Sequence, residues 1–237
     1  MNNPIGPYPG RQIFLGKTIK GDPCFAYLIT GRSPESRQRK AVRVEDVIRI
    51  GPLGDQAYDP LRHYNGVKFD SASGVLSVSN GIQTDAIYEV YKLLFNTDSN
   101  PGKEYLQTTL EGAGAEPDSY HTPRIAGVIT FQNKQPGWFM GIKAHFAHAK
   151  SWQIDPAAGK LTTVSTYIGS MESPQATNPD FALPVLDFKA KTAAELSKYI
   201  FDISAASYKD NDIRVSSIAG VYSEKGVWTL HIKNVQA

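Results

Sequence analysis

The 237-residue sequence has a single cysteine, Cys24, so no internal disulfide can form. It also lacks any apolar run of the ~18 residues that a membrane-crossing helix needs, the longest being Cys24 to Ile29. Charged residues make up only 20%, which excludes a charge-driven disordered chain, and the formal net charge of +2 is too small to imply nucleic acid by itself. No Walker loop, G-x-G-x-x-G, H-E-x-x-H or G-x-S-x-G occurs. P-loop hydrolysis, Rossmann dinucleotide binding, zincin chemistry and α/β-hydrolase chemistry therefore have no footing. Internal repeats, low-complexity tracts and heptads are missing too, which sets aside solenoids and long helical arrays. The stretch from Met1 to Pro7 has neither a basic nor an apolar leader region, so a soluble, cytoplasmic protein without a secretory signal is expected.

What remains is a chain with 41% apolar residues and enough length to bury a core without staples. No change of composition marks a linker, and one domain over residues 1–237 is expected. Short strands are predicted at Arg11–Gly16, Cys24–Thr30, Ala41–Ile50, Gly66–Phe69 and Val75–Ser79, with Gly and Asp clustered between them. From Thr84 to Phe95 the apolar residues Ile87, Val90, Tyr91, Leu94 and Phe95 take helical spacing, and a second helix is predicted at Lys103–Glu111. Strands resume at Ile125–Phe131, Trp138–Ile142 and Leu161–Ile168, and a proline-bearing loop follows over 169–184. Thr192-Ala193-Ala194-Glu195 matches a capping box and opens a helix with Leu196, Tyr199, Ile200 and Ile203 on its apolar face. Ile213–Tyr222 and Val227–Lys233 then form a predicted hairpin. Grouped strands with helices in separate blocks indicate an α+β fold with mainly antiparallel sheets.

Seven of the nine arginines lie in the first 62 residues. Such a bias makes either a solvated basic face or a site for a phosphorylated ligand, since the guanidinium fork pairs with phosphate bidentately. The loop from Thr30 to Arg39 concentrates Arg32, Ser33, Arg37 and Arg39 around Pro34, as a basic turn or as an anion cradle. The segment Ser79-Asn80-Gly81-Ile82-Gln83-Thr84-Asp85 leads from strand to helix. It supplies either an anion-binding helix start or ordinary capping by Thr84 or Asp85. Asp118 to Arg124 places a carboxylate, a histidine and an arginine before an apolar strand, around a proline turn. His145 and His148 are too few for a structural zinc site, and Cys24 inside its apolar run reads as packing rather than a nucleophile.

Taken in order, these islands resemble the archaeal-type IMP cyclohydrolase family. The matching pieces are Tyr8-Pro9-Gly10-Arg11, Gly31-Arg32-Ser33 with Arg37 and Arg39, and His63-Tyr64-Asn65-Gly66. They continue with Val78 through Asp85, Thr122-Pro123-Arg124-Ile125-Ala126-Gly127 and Ser165-Thr166-Tyr167, so that residues after 170 read as a looser extension. The resemblance implies an Ntn-hydrolase-like fold, a four-layer αββα sandwich of two antiparallel sheets. It further implies closure of 5-formamidoimidazole-4-carboxamide ribonucleotide to IMP with loss of water in purine biosynthesis, with no metal and no organic cofactor. Hydrolases of that fold use an N-terminal Cys, Ser or Thr; here Asn2 follows Met1, so different chemistry is expected. The expected partner is a purine ribonucleotide, with neither nucleic acid nor membrane, and self-association is left open.

Ring closure assigns roles on that resemblance. Tyr64, Asp118 and Arg32 are the implied catalytic residues: Tyr64 as acid or oxyanion donor, Asp118 for proton transfer and Arg32 on phosphate or formyl oxygen. Arg11, Ser33, Arg37, Asn65, Asn80, Gly81, Thr84, Asp85 and Arg124 are the implied substrate-binding residues, with Arg37 on the same oxygens as Arg32, and Asn65 and Asn80 on the base edge. The family carries Glu three positions before the threonine of T-P-R-I, whereas this chain has Ser119 there, leaving Asp118 or Glu116 to supply the carboxylate. A nucleotide-binding protein without the activity, or a related amide hydrolase, is the alternative.

Overall fold

The apolar run at Cys24 belongs to a strand buried on both faces. In the computed structural model, which describes residues 5–236, β1 (Arg11–Lys17) and β2 (Pro23–Thr30) pair antiparallel. Met1 to Pro4, including Asn2, lie outside the described residues. Alternate side chains of β2 enter different cores: Phe25, Tyr27 and Ile29 one, Cys24, Ala26 and Leu28 the other. A strand covered on both faces reads as a continuous apolar run instead of an alternation. Cys24 is fully buried there, and burial pushes its thiol pKa up, away from the nucleophilic thiolate.

The middle of the chain forms a seven-stranded antiparallel meander. Its strands are β3 (Arg39–Val44), β4 (Val47–Pro52), β5 (Tyr64–Phe69), β6 (Leu76–Ser79), β7 (Arg124–Gln132), β8 (Gln135–Lys143) and β9 (Lys150–Ile154). Before it lies the single turn α1 (Pro34–Arg37), and between β6 and β7 come α2 (Gln83–Asn96) and α3 (Lys103–Ala113). The second sheet has the order β13-β10-β1-β2-β16-β17, using β10 (Lys160–Ser165), β13 (Val185–Asp187), β16 (Arg214–Tyr222) and β17 (Trp228–Asn234). Two hairpins stand apart from both sheets: β11 (Tyr167–Gly169) with β12 (Pro174–Ala176), and β14 (Ser207–Tyr208) with β15 (Asn211–Asp212). The helix α4 (Ala193–Ile203) completes the chain. The α+β expectation with antiparallel sheets holds. Among the described residues no helix is long and apolar enough to cross a membrane.

One apolar cluster joins the two sheets, with Ile13, Leu15, Phe25 and Tyr27 from one and Ile48, Val67, Ile125 and Met140 from the other. Gly127 marks their close approach: a Cβ there would stand 3.0 Å from Ile13 and 3.2 Å from Leu15. Leu196 and Ile200 of α4 cover the outer side of the six-stranded sheet, while Ile87 and Tyr91 of α2 and Leu106 and Leu110 of α3 cover that of the other. At one margin the Asn234 side chain bridges the sheets. Its Nδ2 donates to the Ala41 carbonyl and its Oδ1 accepts from the Ala41 amide, each at 3.0 Å.

Several expectations are corrected. The single strand at Ala41–Ile50 is the hairpin β3–β4, turning at Glu45 with φ 53°. Ala41 and Ile48 both enter the central core at an odd spacing, which one straight strand cannot achieve. Leu161–Ile168 breaks at the fully buried Thr166, after which β11 leaves the sheet. The edge strand β9, Lys150-Ser151-Trp152-Gln153-Ile154, has too little apolar content to stand out in sequence. Thr84 and Asp85 do not cap α2, whose first flanking residue is Ile82 with no side-chain cap. Thr192 does cap α4, accepting from the Glu195 amide at 3.2 Å, but Glu195 reaches back to the Lys191 amide instead of that of Thr192.

Candidate active site

Gly10, at φ +65°, lets the chain enter β1 beside Tyr167, where a Cβ would come within 2.5 Å of the Tyr167 ring and the Thr166 hydroxyl. Thr166 Oγ1 donates to the Pro9 carbonyl and accepts from the Arg11 amide, fixing Arg11 at the start of the strand. The Arg11 Nη2 then meets both oxygens of Glu116, at 3.0 and 2.9 Å. Glu116 is 3% exposed and also accepts from Asn80 Nδ2 at 2.8 Å. Burial raises its carboxyl pKa, outweighing the nearby Arg11 and Arg124 guanidinium groups.

Arg11 and Glu116 sit in a cavity of about 550 Å³. Arg39, the first residue of β3, also lines it and is 3% exposed. Its Nε donates to the Ser36 carbonyl at 2.9 Å and its Nη2 to the Thr30 carbonyl at 3.4 Å, while Nη1 is buried with no partner. Among the described residues no carboxylate pairs with Arg39; the groups acting on it are Tyr64, Arg11, Tyr27 and Tyr8, and burial lowers its pKa. The Nε of Arg11 is likewise buried and unpartnered. Both residues line the cavity, so an anion or polar oxygen bound there would be met by two guanidinium groups.

Toward the mouth stand Arg32, Tyr120 and Lys209. Arg32 lies between the rings of Tyr8 and Tyr120, 5.4 and 5.6 Å from their centroids, and donates to the Met171 carbonyl. Ser33 lines the wall and caps α1, its Oγ accepting from the Ser36 amide. Arg62 pairs with Asp59 at 2.6 Å on the same wall. Five cations (Arg11, Arg32, Arg39, Arg62 and Lys209) thus face three carboxylates, those of Asp59, Glu116 and Asp118.

The remaining residues named from sequence take other places. Asp118 lines the cavity, but its oxygens accept from the Thr122 amide and hydroxyl at 2.9 and 2.5 Å, which makes it a turn-forming carboxylate. Thr122 Oγ1 also contacts the Tyr167 hydroxyl, whose pKa burial pushes up to about 12. Arg37 lies outside this cavity and donates to the Arg32 and Gly31 carbonyls, bracing the loop. Asn80 is fully buried and saturated: besides Glu116 it bonds Pro123, Ile125 and Gln83. Arg124 donates to Gln83 and to the Gly114 carbonyl, and a Cβ on Gly81 would stand 2.6 Å from it. Thr84 bonds the Gly81 carbonyl and Ser79.

Tyr64, Asn65 and Asp85 line a neighbouring cavity of about 410 Å³. The segment 58–64 lies between the two, with Asp59, Leu61 and Arg62 on one and Tyr58, His63 and Tyr64 on the other. Asn65 donates to both Asp85 oxygens at 3.1 and 2.9 Å. The Tyr64 hydroxyl meets that of Tyr27 at 2.8 Å, and both act electrostatically on Arg11 and Arg39. A further cavity of about 800 Å³, lined by Lys20, Phe95, Phe131 and Tyr222 among others, contains none of the motif residues.

Sequence reasoning named Arg39 only as one of four residues of the loop's basic turn or anion cradle, and did not single out Asp59, Tyr120 or Lys209. Polar spacing gives no sign of which arginine is buried without a carboxylate beside it; that depends on β3 turning its first side chain inward. His145 and His148 take separate partners, the ring of His121 at 4.3 Å and Glu111 at 3.4 Å.

Residues 8–226 match a family model described as IMP cyclohydrolase-like protein. The chain is similar to an IMP cyclohydrolase of Methanococcus maripaludis, 31% identical over 82% of this chain and 88% of the relative. It is also similar to that of Methanocaldococcus jannaschii, 28% identical over 93% and 96%, and to that of Haloarcula marismortui, 27% identical over 82% and 86%.

Proposed function

Because the chain belongs to the IMP cyclohydrolase-like protein family, we propose that its Arg11–Glu116–Arg39 cavity closes 5-formamidoimidazole-4-carboxamide ribonucleotide to IMP, releasing water. The observation that carries this is that one cavity is lined both by a buried guanidinium with no carboxylate paired to it among the described residues, Arg39, and by a buried carboxylate of raised pKa, Glu116. Two positive charges in excess of the carboxylates match the dianion of a phosphate monoester.

In the reaction the carboxamide nitrogen attacks the formyl carbon; one of its two protons and the formamido N–H proton leave with the formyl oxygen as water, and the C=N bond forms at the former formamido nitrogen. Glu116 takes a proton from the nitrogen and returns it to the departing oxygen, a role for which a raised pKa is suited. Arg39, with Tyr64 supporting it through the Tyr27 hydroxyl pair, stabilises charge on the formyl oxygen. Arg32 and Ser33 hold the phosphate nearer the mouth. Arg37, Asn80 and Arg124 act behind the site, by bracing the Arg32 loop, Glu116 and α2 respectively. Glu116 supplies the carboxylate that relatives carry at the Ser119 position, and Asp118 shapes the turn.

The same reading takes the helix, sheet, sheet and helix layers as an Ntn-hydrolase-like sandwich, supported by the three apolar clusters. It also takes the chain as one domain, since β16 pairs with β2 inside the six-stranded sheet. The test is incubation of the purified protein with the formamido ribonucleotide, following IMP above the spontaneous background. Formation of IMP at the background rate, with tight nucleotide binding, would replace this function by nucleotide binding alone.

A further inference from the structure

We propose that Lys209, at the tip of the β14–β15 hairpin, reads the substrate's phosphate and makes the site selective for nucleotides over nucleosides; this rests on the cyclohydrolase reading above. The hairpin turns through two residues, Lys209 and Asp210, both left-handed at φ 49° and 62°. That geometry matches the strand twist but usually falls to Asn-Gly, so a lysine there stands at a conformational cost. Asn211 Nδ2 donates to the Lys209 carbonyl at 2.6 Å and holds the turn.

The base of the hairpin is tied to the wall that bears Arg32. Tyr208 packs on the cluster of Tyr8, Tyr167 and Ile213, and the Gly31 amide, next to Arg32, donates to the Ile213 carbonyl at 2.8 Å. Lys209 therefore reaches the mouth from an element anchored beside Arg32, and both residues line the same cavity. Its ammonium has no ion pair among the described residues; it lies 5.5 Å from the Tyr208 ring centroid. The hairpin's own Asp212 is engaged by Arg214, at 2.6 Å between Oδ2 and Nη2. An unneutralised, hydrated point charge at the rim suits a phosphate that remains partly in water.

Calorimetry of IMP and inosine binding to the whole chain, and to Lys209→Ala and Lys209→Arg, tests this. Lys209→Ala should weaken IMP about ten-fold, the worth of one partly screened charge-assisted contact, and leave inosine unchanged. Lys209→Arg should restore most of the difference. Equal weakening of IMP and inosine would make the hairpin a mere wall and overturn the proposal, as would unchanged IMP affinity in Lys209→Ala. Wild-type protein that binds neither ligand would overturn the cyclohydrolase reading and this inference with it.

Discussion

Replacing Arg39 by methionine should make the protein more stable and much less active. The guanidinium is 3% exposed and has two backbone acceptors, with no carboxylate paired to it among the described residues. Desolvating an unpaired ion costs several kcal/mol even after relaxation. The hydrogen bonds to Ser36 and Thr30 return about 1.5–3 kcal/mol each at best, the longer Thr30 contact less. Methionine removes the ion and keeps the buried stem packed, giving up only those two hydrogen bonds. The net expectation is a gain of about 1 kcal/mol, or a rise of ~2–4 °C in Tm for a chain of this size. If Arg39 faces developing charge on the formyl oxygen, the same change lowers turnover ~10²–10³-fold with little effect on IMP affinity. Scanning calorimetry and steady-state IMP formation on one preparation give both readouts. A variant that melts lower than wild type while turning over normally would show Arg39 to be a structural cation and refute the reasoning.

Glu116→Gln preserves the side-chain shape and should lower turnover by ~10²–10⁴, the usual worth of a positioned acid–base. The base must be ionised, so wild-type turnover should climb with pH through a pKa above the ordinary glutamate range, and the glutamine variant should lose that limb; an unchanged profile would exclude Glu116. Tyr64→Phe removes support for Arg39 and no direct donor, so it should cut turnover about ten-fold, less than Arg39→Met, with only a small change in melting temperature, whereas normal kinetics with a clear loss of stability would reduce its hydroxyl to a partner for Tyr27. Burial alone would raise the Asp70 pKa, but hydrogen bonds from Lys92, Ser73 and the Ala72 amide bring it down to about 2. Its stabilisation is therefore full above the unfolded value near 4 and is lost as pH falls toward 2. Asp70→Asn should cost about 1 kcal/mol at neutral pH, discounted for solvent screening, and should flatten the acid side of a denaturation curve.

The sheets were legible where strands are buried on both faces, because Cys24–Ile29 is an uninterrupted apolar run and Ile125–Phe131 is broken only by Gly127 and Thr130. The Ala41–Ile50 hairpin was not, since its turn uses Glu45 at positive φ without glycine, asparagine or proline beside it. For the site, motif order brought out Arg11, Arg32 and Ser33, which share one cavity, and Tyr64, Asn65 and Asp85, which share the next. The division of labour among neighbours was hidden. Asp118 and Glu116 differ by two positions, yet one closes a turn with Thr122 and the other lies on Arg11. Arg37 and Arg39 differ by two as well, and only Arg39 lines the cavity that holds Arg11 and Glu116. Such differences follow from local backbone direction, which composition and spacing do not carry.

The Asn234 clasp on Ala41 has a consequence for timing. Ala41 stands two residues after Arg39, and the bond spans 193 positions of chain. A nascent polypeptide that has emerged only as far as β16 already carries every residue of the cavity, but the strand holding Arg39 still lacks its outermost tether. Catalytic competence should then arrive only once Asn234 has left the ribosome, long after the β3–β9 meander has had time to form.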